Sequence, residues 1–200
     1  MEEVEWKNLA EVDLDARLSQ EGLELGDAHE RQRLRMGIRC KDAEMVEEVI
    51  DRIMMKMRSR GSKCLIIDYK GCSSTEEYQQ RIVDTVTEFL KTVAPERLEE
   101  IPEGAPLNER ATACLRILEG VANELRNDFL LILDFRDMKI EPRLLRPGQL
   151  FWWVYEAASR CDPANLIWIM DDDPQGFEML ARHGQMHKIF SEGTQLFVLV

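Results

Sequence analysis

Residues 127–137 read NDFLLILDFRD. Five apolar residues, 129–133, run without alternation into Asp134, so both faces of an extended segment here are apolar. A strand of that kind belongs inside a parallel sheet with helices on both of its faces. The same shape recurs at residues 64–68 (CLIID) and 166–171 (LIWIMD), each preceded by a helix-length amphipathic segment. Repeated right-handed crossovers connect such units. The pattern predicts a three-layer α/β/α sandwich with a mainly parallel five-stranded sheet, and it gathers Asp68, Asp134 and Asp171 at one end of that sheet.

Two hundred residues, 44% of them hydrophobic, suffice for one domain with its own core. Residues 31–200 are expected to form it, with residues 1–30 an N-terminal arm or short helix interrupted by Gly22 and Gly26. The net charge of −12 argues against nucleic acid or an anionic membrane as the main partner, because phosphate rewards a basic surface. No apolar run approaches the length of a membrane span, and the acidic start MEEVEWKNLAEVDLD lacks the basic-then-apolar order of a signal peptide. The five cysteines, Cys40, Cys64, Cys72, Cys114 and Cys161, include no CxxC pair and read as reduced thiols. A cytoplasmic protein is expected.

Residues 31–40, RQRLRMGIRC, alternate strictly, with Leu34, Met36, Ile38 and Cys40 on one side and Arg31, Arg33, Arg35 and Arg39 on the other. Alternation predicts a half-exposed strand at the sheet edge. The four arginines either face water or form a docking strip for an acidic peptide or a phosphate-bearing ligand. An edge strand also offers backbone groups to a protein partner or a second copy.

Helices are expected at residues 42–58, with Met45, Val49, Ile53 and Met57 as the stripe, at 75–93, started by Ser74 or Thr75, at 108–125 and at 149–160. Asp173 caps a short helix that opens on Pro174 and stops at Gly184. Residues 94–106, with three prolines, read as a surface loop. The closing run at 195–200 is a last buried strand, which fits a domain cut from a longer protein.

The order of these segments, with LLILD ending at Asp134 and LIWIMD ending at Asp171, resembles the core of P-loop ATPases of the signal-transducing, AAA-like kind. In that resemblance the first run corresponds to the Walker B strand and the second to the sensor strand that follows. The phosphate loop departs from the family. Where GxxxxGK[ST] should stand, the chain reads MGIRCKDAEM, with Gly37 and Lys41 but no Gly-Lys pair and no hydroxyl residue after the lysine. Such a stretch cannot wrap a β-phosphate. A second resemblance, to STAS-type regulatory domains, rests on residues 61–68, and the units after residue 105 exceed that fold.

Ligands of open α/β sheets sit beyond the carboxyl ends of strands. Asp68, Asp134 and Asp171 could there hold Mg²⁺ through oxygen, or each could instead cap a helix or bind loop amides. His183 and His187 stand four apart, but Gly184 interrupts a metal pair between them. No nucleophile elbow or glycine-rich fingerprint points to an enzyme. The expectation is a non-catalytic protein-interaction or regulatory module without a cofactor; the alternative is a Mg²⁺-dependent phosphoryl-transfer or hydrolytic enzyme using the strand-end aspartates.

Overall fold

The computed structural model describes residues 6–8, 34–41, 43–190 and 194–199. Its sheet has six parallel strands: β1 (Lys7–Asn8), β2 (Arg35–Cys40), β3 (Lys63–Asp68), β4 (Phe129–Asp134), β5 (Asn165–Asp171) and β6 (Gln195–Leu199), in the spatial order β1-β6-β2-β5-β4-β3. Among the described residues six α-helices accompany them: α1 (Ala43–Ser59), α2 (Thr75–Val93), α3 (Leu107–Leu125), α4 (Leu150–Arg160), α5 (Pro174–Arg182) and α6 (Gly184–Phe190). No described helix is long and apolar enough to cross a membrane.

The α/β/α class is as expected from the apolar runs, with a sixth strand beyond the five. It comes from the N-terminal arm, where Lys7 and Asn8 pair with Phe197 and Val198 of β6. The placement of the alternating strand is a correction. β2 is not an edge: it pairs along its length with β5 on one side and β6 on the other. Among the described residues the sheet ends on β3, which pairs with β4 alone, and on the two-residue β1, which pairs with β6 alone.

Two cores flank the sheet. On one face the residues Met36, Ile38, Ile132, Ile167, Ile169 and Phe197 meet Val46, Ile50, Ile53 and Met57 of α1. Of the expected stripe Ile53 and Met57 are core while Met45 and Val49 are half-buried, the buried face being turned towards Val46, Ile50 and Met54. On the other face Leu65, Ile67, Leu131, Leu133 and Trp168 meet α2 to α6. β4 is buried at every position, the outcome its uninterrupted apolar run requires. At its amino end Asn165 stitches three strands, accepting from Leu34 N–H at 2.8 Å and donating to the Asn127 and Phe129 carbonyls. That accounts for a buried amide at the start of β5.

Helix starts follow their caps. Ser74 accepts from Glu77 N–H and Asp173 from Gly176 N–H, as capping chemistry predicts. The segment at 94–106 carries a 3₁₀ turn, Pro95–Glu100, pinned by Arg97 to Glu100 and to the Ile117 carbonyl. The helix opened by Pro174 ends at Arg182, as expected, and a further helix, α6, starts at Gly184.

Candidate functional site

The carboxyl end of the sheet is where the topology offers a site, and there β2 passes into α1 with only residues 41 and 42 between them. Lys41 still belongs to the ladder, donating its N–H to the Leu199 carbonyl at 3.2 Å. A phosphate cradle needs several successive N–H groups curved around one centre. Two residues, one of them committed to β6, supply no such curve. Gly37, the first glycine of the would-be loop, lies inside β2 opposite Trp168. A Cβ there would stand 2.1 Å from the indole ring, so the glycine makes room for a core tryptophan.

The space beside the first turn of α1 is taken by an internal ion cluster. Asp134, with its carboxylate 3% exposed, accepts from Arg136 Nε at 2.9 Å and Arg136 Nη2 at 2.6 Å. The same Nη2 lies 2.6 Å from Glu47 Oε1 on α1, and Arg136 Nη1 donates to the Ala43 carbonyl. Lys70 Nζ sits 3.0 Å from Glu47, 3.5 Å from Asp134 and 3.6 Å from Asp68. Two cations thus face three carboxylates across the ends of β3, β4 and α1.

The electrostatics follow from the contacts. Burial works against the Arg136 charge, but its bonds to Asp134 and Glu47 more than offset this and hold the guanidinium charged. The Arg136 hydrogen bond holds Glu47 below its usual carboxylate range. Lys70 is held above its ordinary value, the Glu47 and aspartate contacts outweighing the desolvation that opposes them. Burial pushes the nearby Cys40 thiol up to about 11, so it is protonated and unreactive at neutral pH.

The strand-end aspartates do what loop acids do. Asp68 accepts from Lys70 N–H, Asp134 from Arg136 N–H, and Asp171 from Asp137 N–H at 2.7 Å. Asp137 reaches that position with φ of 66°, a left-handed turn. Among the described residues no three His, Cys, Asp or Glu side chains are grouped to hold a metal ion. The three aspartates therefore share a sheet end without converging on one point.

Two of the four arginines fall on described residues. Arg35 pairs with Asp162. Arg39 Nε lies 2.7 Å from Asp172, and the Arg39 guanidinium stacks 4.4 Å from the Trp6 ring centroid. Their side chains are 15% exposed, so here the positive stripe is sheathed by the fold. Arg31 and Arg33 lie outside the described residues.

Sequence reasoning missed Glu47, Lys70 and Arg136, although a signal was present. Asp68-Tyr69-Lys70 and Asp134-Phe135-Arg136 repeat one pattern, an acid, a buried aromatic and a base. A period of two returns the base to the side of the acid while the aromatic enters the core.

No family model matches the chain, and no curated protein matches it. It is similar to a chain in the solved "Structure of Drosophila ORC bound to DNA", with 9% identity and a TM-score of 0.41. That likeness covers 84% of this chain and 26% of the other, so this chain spans about a quarter of the neighbour's length.

Proposed function

We propose that this chain is a non-catalytic protein-interaction module whose core resembles that of a P-loop ATPase and has lost nucleotide binding. One observation carries the reading: the connection between β2 and α1 is two residues long, and Arg136, clasped by Asp134 and Glu47, stands against the first turn of the helix. A connection that short has no run of N–H groups to curve round a phosphate, and the carboxylates of Asp134 and Glu47 beside it already hold the nearest guanidinium. The kinship half of the reading is supported by β2 lying inside the sheet, directly beside the β5 strand that ends in Asp171, with the Asp134 strand next in order. The resemblance needs a central strand at that place.

Calorimetry with Mg-ATP and Mg-GTP tests it. No heat of binding is expected up to millimolar nucleotide, and micromolar affinity for either would overturn the proposal. The enzymatic alternative is addressed by thermal shift with Mg²⁺. A rise in Tm that disappears in Asp134→Asn would revive it.

A further inference from the structure

The residues that carry β1 are seated on the sheet as a peptide is seated in a site. β1 meets the sheet through β6 alone, with Lys7 opposite Phe197 and Asn8 opposite Val198. The Leu199 carbonyl accepts from Lys41 N–H on the β2 side, and alternate residues of a strand turn their backbone groups to opposite sides. Val198 therefore turns its N–H towards β1. Just ahead of β1 stands Trp6, whose ring lies edge-to-face with Phe177 at 4.7 Å and with Trp168 at 6.4 Å. The Arg39 guanidinium covers the same ring at 4.4 Å. Two aromatic rings and a cation around one indole select an aromatic side chain, and indole gives the strongest cation–π contact.

The walls of this socket are held by contacts that do not involve Trp6. Trp168 is fully buried and stacks on Phe177 at 5.9 Å and on Phe135 at 6.2 Å. Phe177 lies in α5, whose first turn is capped by Asp173. Arg39 Nε is 2.7 Å from Asp172, which also lies 3.4 Å from Lys41 Nζ. β2, β5 and α5 thus form the socket among themselves, whereas Trp6 is only half-buried in it. A preformed site costs its ligand little ordering beyond the ligand's own.

We infer that the β6 edge and this socket form a binding site for an extended segment of a partner protein that carries a tryptophan two residues ahead of the residue paired with Val198, and that the chain's own arm holds the site closed. This rests on the reading of the chain as an interaction module and names the surface through which it acts. The arm defines the ligand, because it shows what the site accepts: extended backbone along β6 and an indole against Phe177, Trp168 and Arg39. A tethered occupant competes at an effective concentration of about millimolar, so the site is free only in the fraction of chains whose arm has left it.

The test uses the full chain, its Trp6→Ala variant and a labelled peptide of residues 1–12, MEEVEWKNLAEV, followed by fluorescence anisotropy. Trp6→Ala empties the socket and leaves its walls, so the variant should keep a cooperative urea transition and bind the peptide. The unaltered chain should bind it at least about tenfold more weakly, because its own arm competes. A peptide carrying Trp6→Leu should bind the variant at least about tenfold more weakly than the parent peptide, the loss expected for the aromatic and cation–π contacts. In the variant, hydrogen exchange at the Val198 amide should slow when the parent peptide is added. Loss of the cooperative transition in Trp6→Ala overturns the inference, since the arm would then belong to the core. So does a folded variant that ignores the peptide, equal binding by both chains, indifference to leucine, or protection elsewhere. Self-association of the unaltered chain that Trp6→Ala abolishes would place the arm on a second copy and overturn the partner named here. Nucleotide binding would remove the parent reading without touching this assay, whereas a silent peptide with silent nucleotide would remove only this site.

Discussion

β2 and β3 are both six residues long, and their sequences suggest opposite places in the sheet. β2, RMGIRC, alternates and carries arginines, yet it has a strand on each side. β3, KCLIID, is mostly apolar, yet it has a strand on one side only. Alternation reports what lies above and below a strand, not what lies beside it. Over β2 the polar face is closed by Asp162, Asp172 and Trp6, so arginine stems are buried while their charges are met. Lateral position is set by how the crossovers run, and neither strand's own residues encode that.

The largest expected effect sharpens this contrast directly. Ile38 is fully buried in β2, so Ile38→Pro removes a ladder hydrogen bond and core packing together. No cooperatively folded protein is expected. Ile66→Pro removes only an outward N–H on an edge strand and trims a half-buried side chain; a cooperative urea transition should survive. Equal losses at the two positions would show that the strand placement is wrong.

Next comes the cluster joining the end of β4 to α1. Arg136→Ala strips the buried Asp134 of its two closest donors and leaves it only Lys70 at 3.5 Å, at a cost of up to roughly 3–5 kcal/mol, the range for a buried charge that loses its partner. Replacing both, Asp134→Leu with Arg136→Met, should restore most of that stability in denaturant titration. If the double variant is as unstable as the single one, the pair holds the loop geometry rather than cancelling a charge.

Packing between β2 and β5 gives a smaller effect. Gly37→Ala drives a methyl into the Trp168 ring and should cost about 1–3 kcal/mol, the range for overpacking. A Trp168→Leu background should relieve much of it, and failure to do so would remove the explanation given for the glycine.

The smallest effects are in pH. Asp171 is raised above its ordinary value, first by burial, so its contribution to stability is complete below the unfolded pKa and is lost as pH rises through the folded one. Asp171→Asn keeps an acceptor for Asp137 N–H and should stabilise slightly at neutral pH, by well under about 1 kcal/mol for a partly exposed group, with no gain in acid. Glu47 is depressed by Arg136, so the sign reverses: its contribution is present above the unfolded pKa and is lost as pH falls through the folded one. Glu47→Gln should therefore destabilise at neutral pH and converge with the parent chain in acid. Thermal melts at pH 3 and pH 7 separate the two signs.

Much of the fold was legible because burial on both faces leaves a local trace. Leu131, Leu133, Ile167 and Ile169 are 0–1% exposed, as their runs required, whereas Ile66, read from the same kind of run, is only half-buried because β3 is the edge. The caps at Ser74 and Asp173 were legible too, since a cap concerns residues within one turn. The candidate site was legible only in its acids. Glu47 and Arg136 stand 89 residues apart, and a surface carboxylate on a helix looks the same whether or not a guanidinium reaches it.

By itself the sequence determined the class of fold, the parallel direction of its strands, the aspartates at their ends and the missing phosphate loop. Each of these depends on residue type and short spacing. Only the tertiary structure decided which strand is the edge, that Arg35 and Arg39 are sheathed, and that Arg136 and Lys70 bind the acids together. These depend on which distant segments the crossovers bring side by side, and a crossover leaves no mark on the residues it unites.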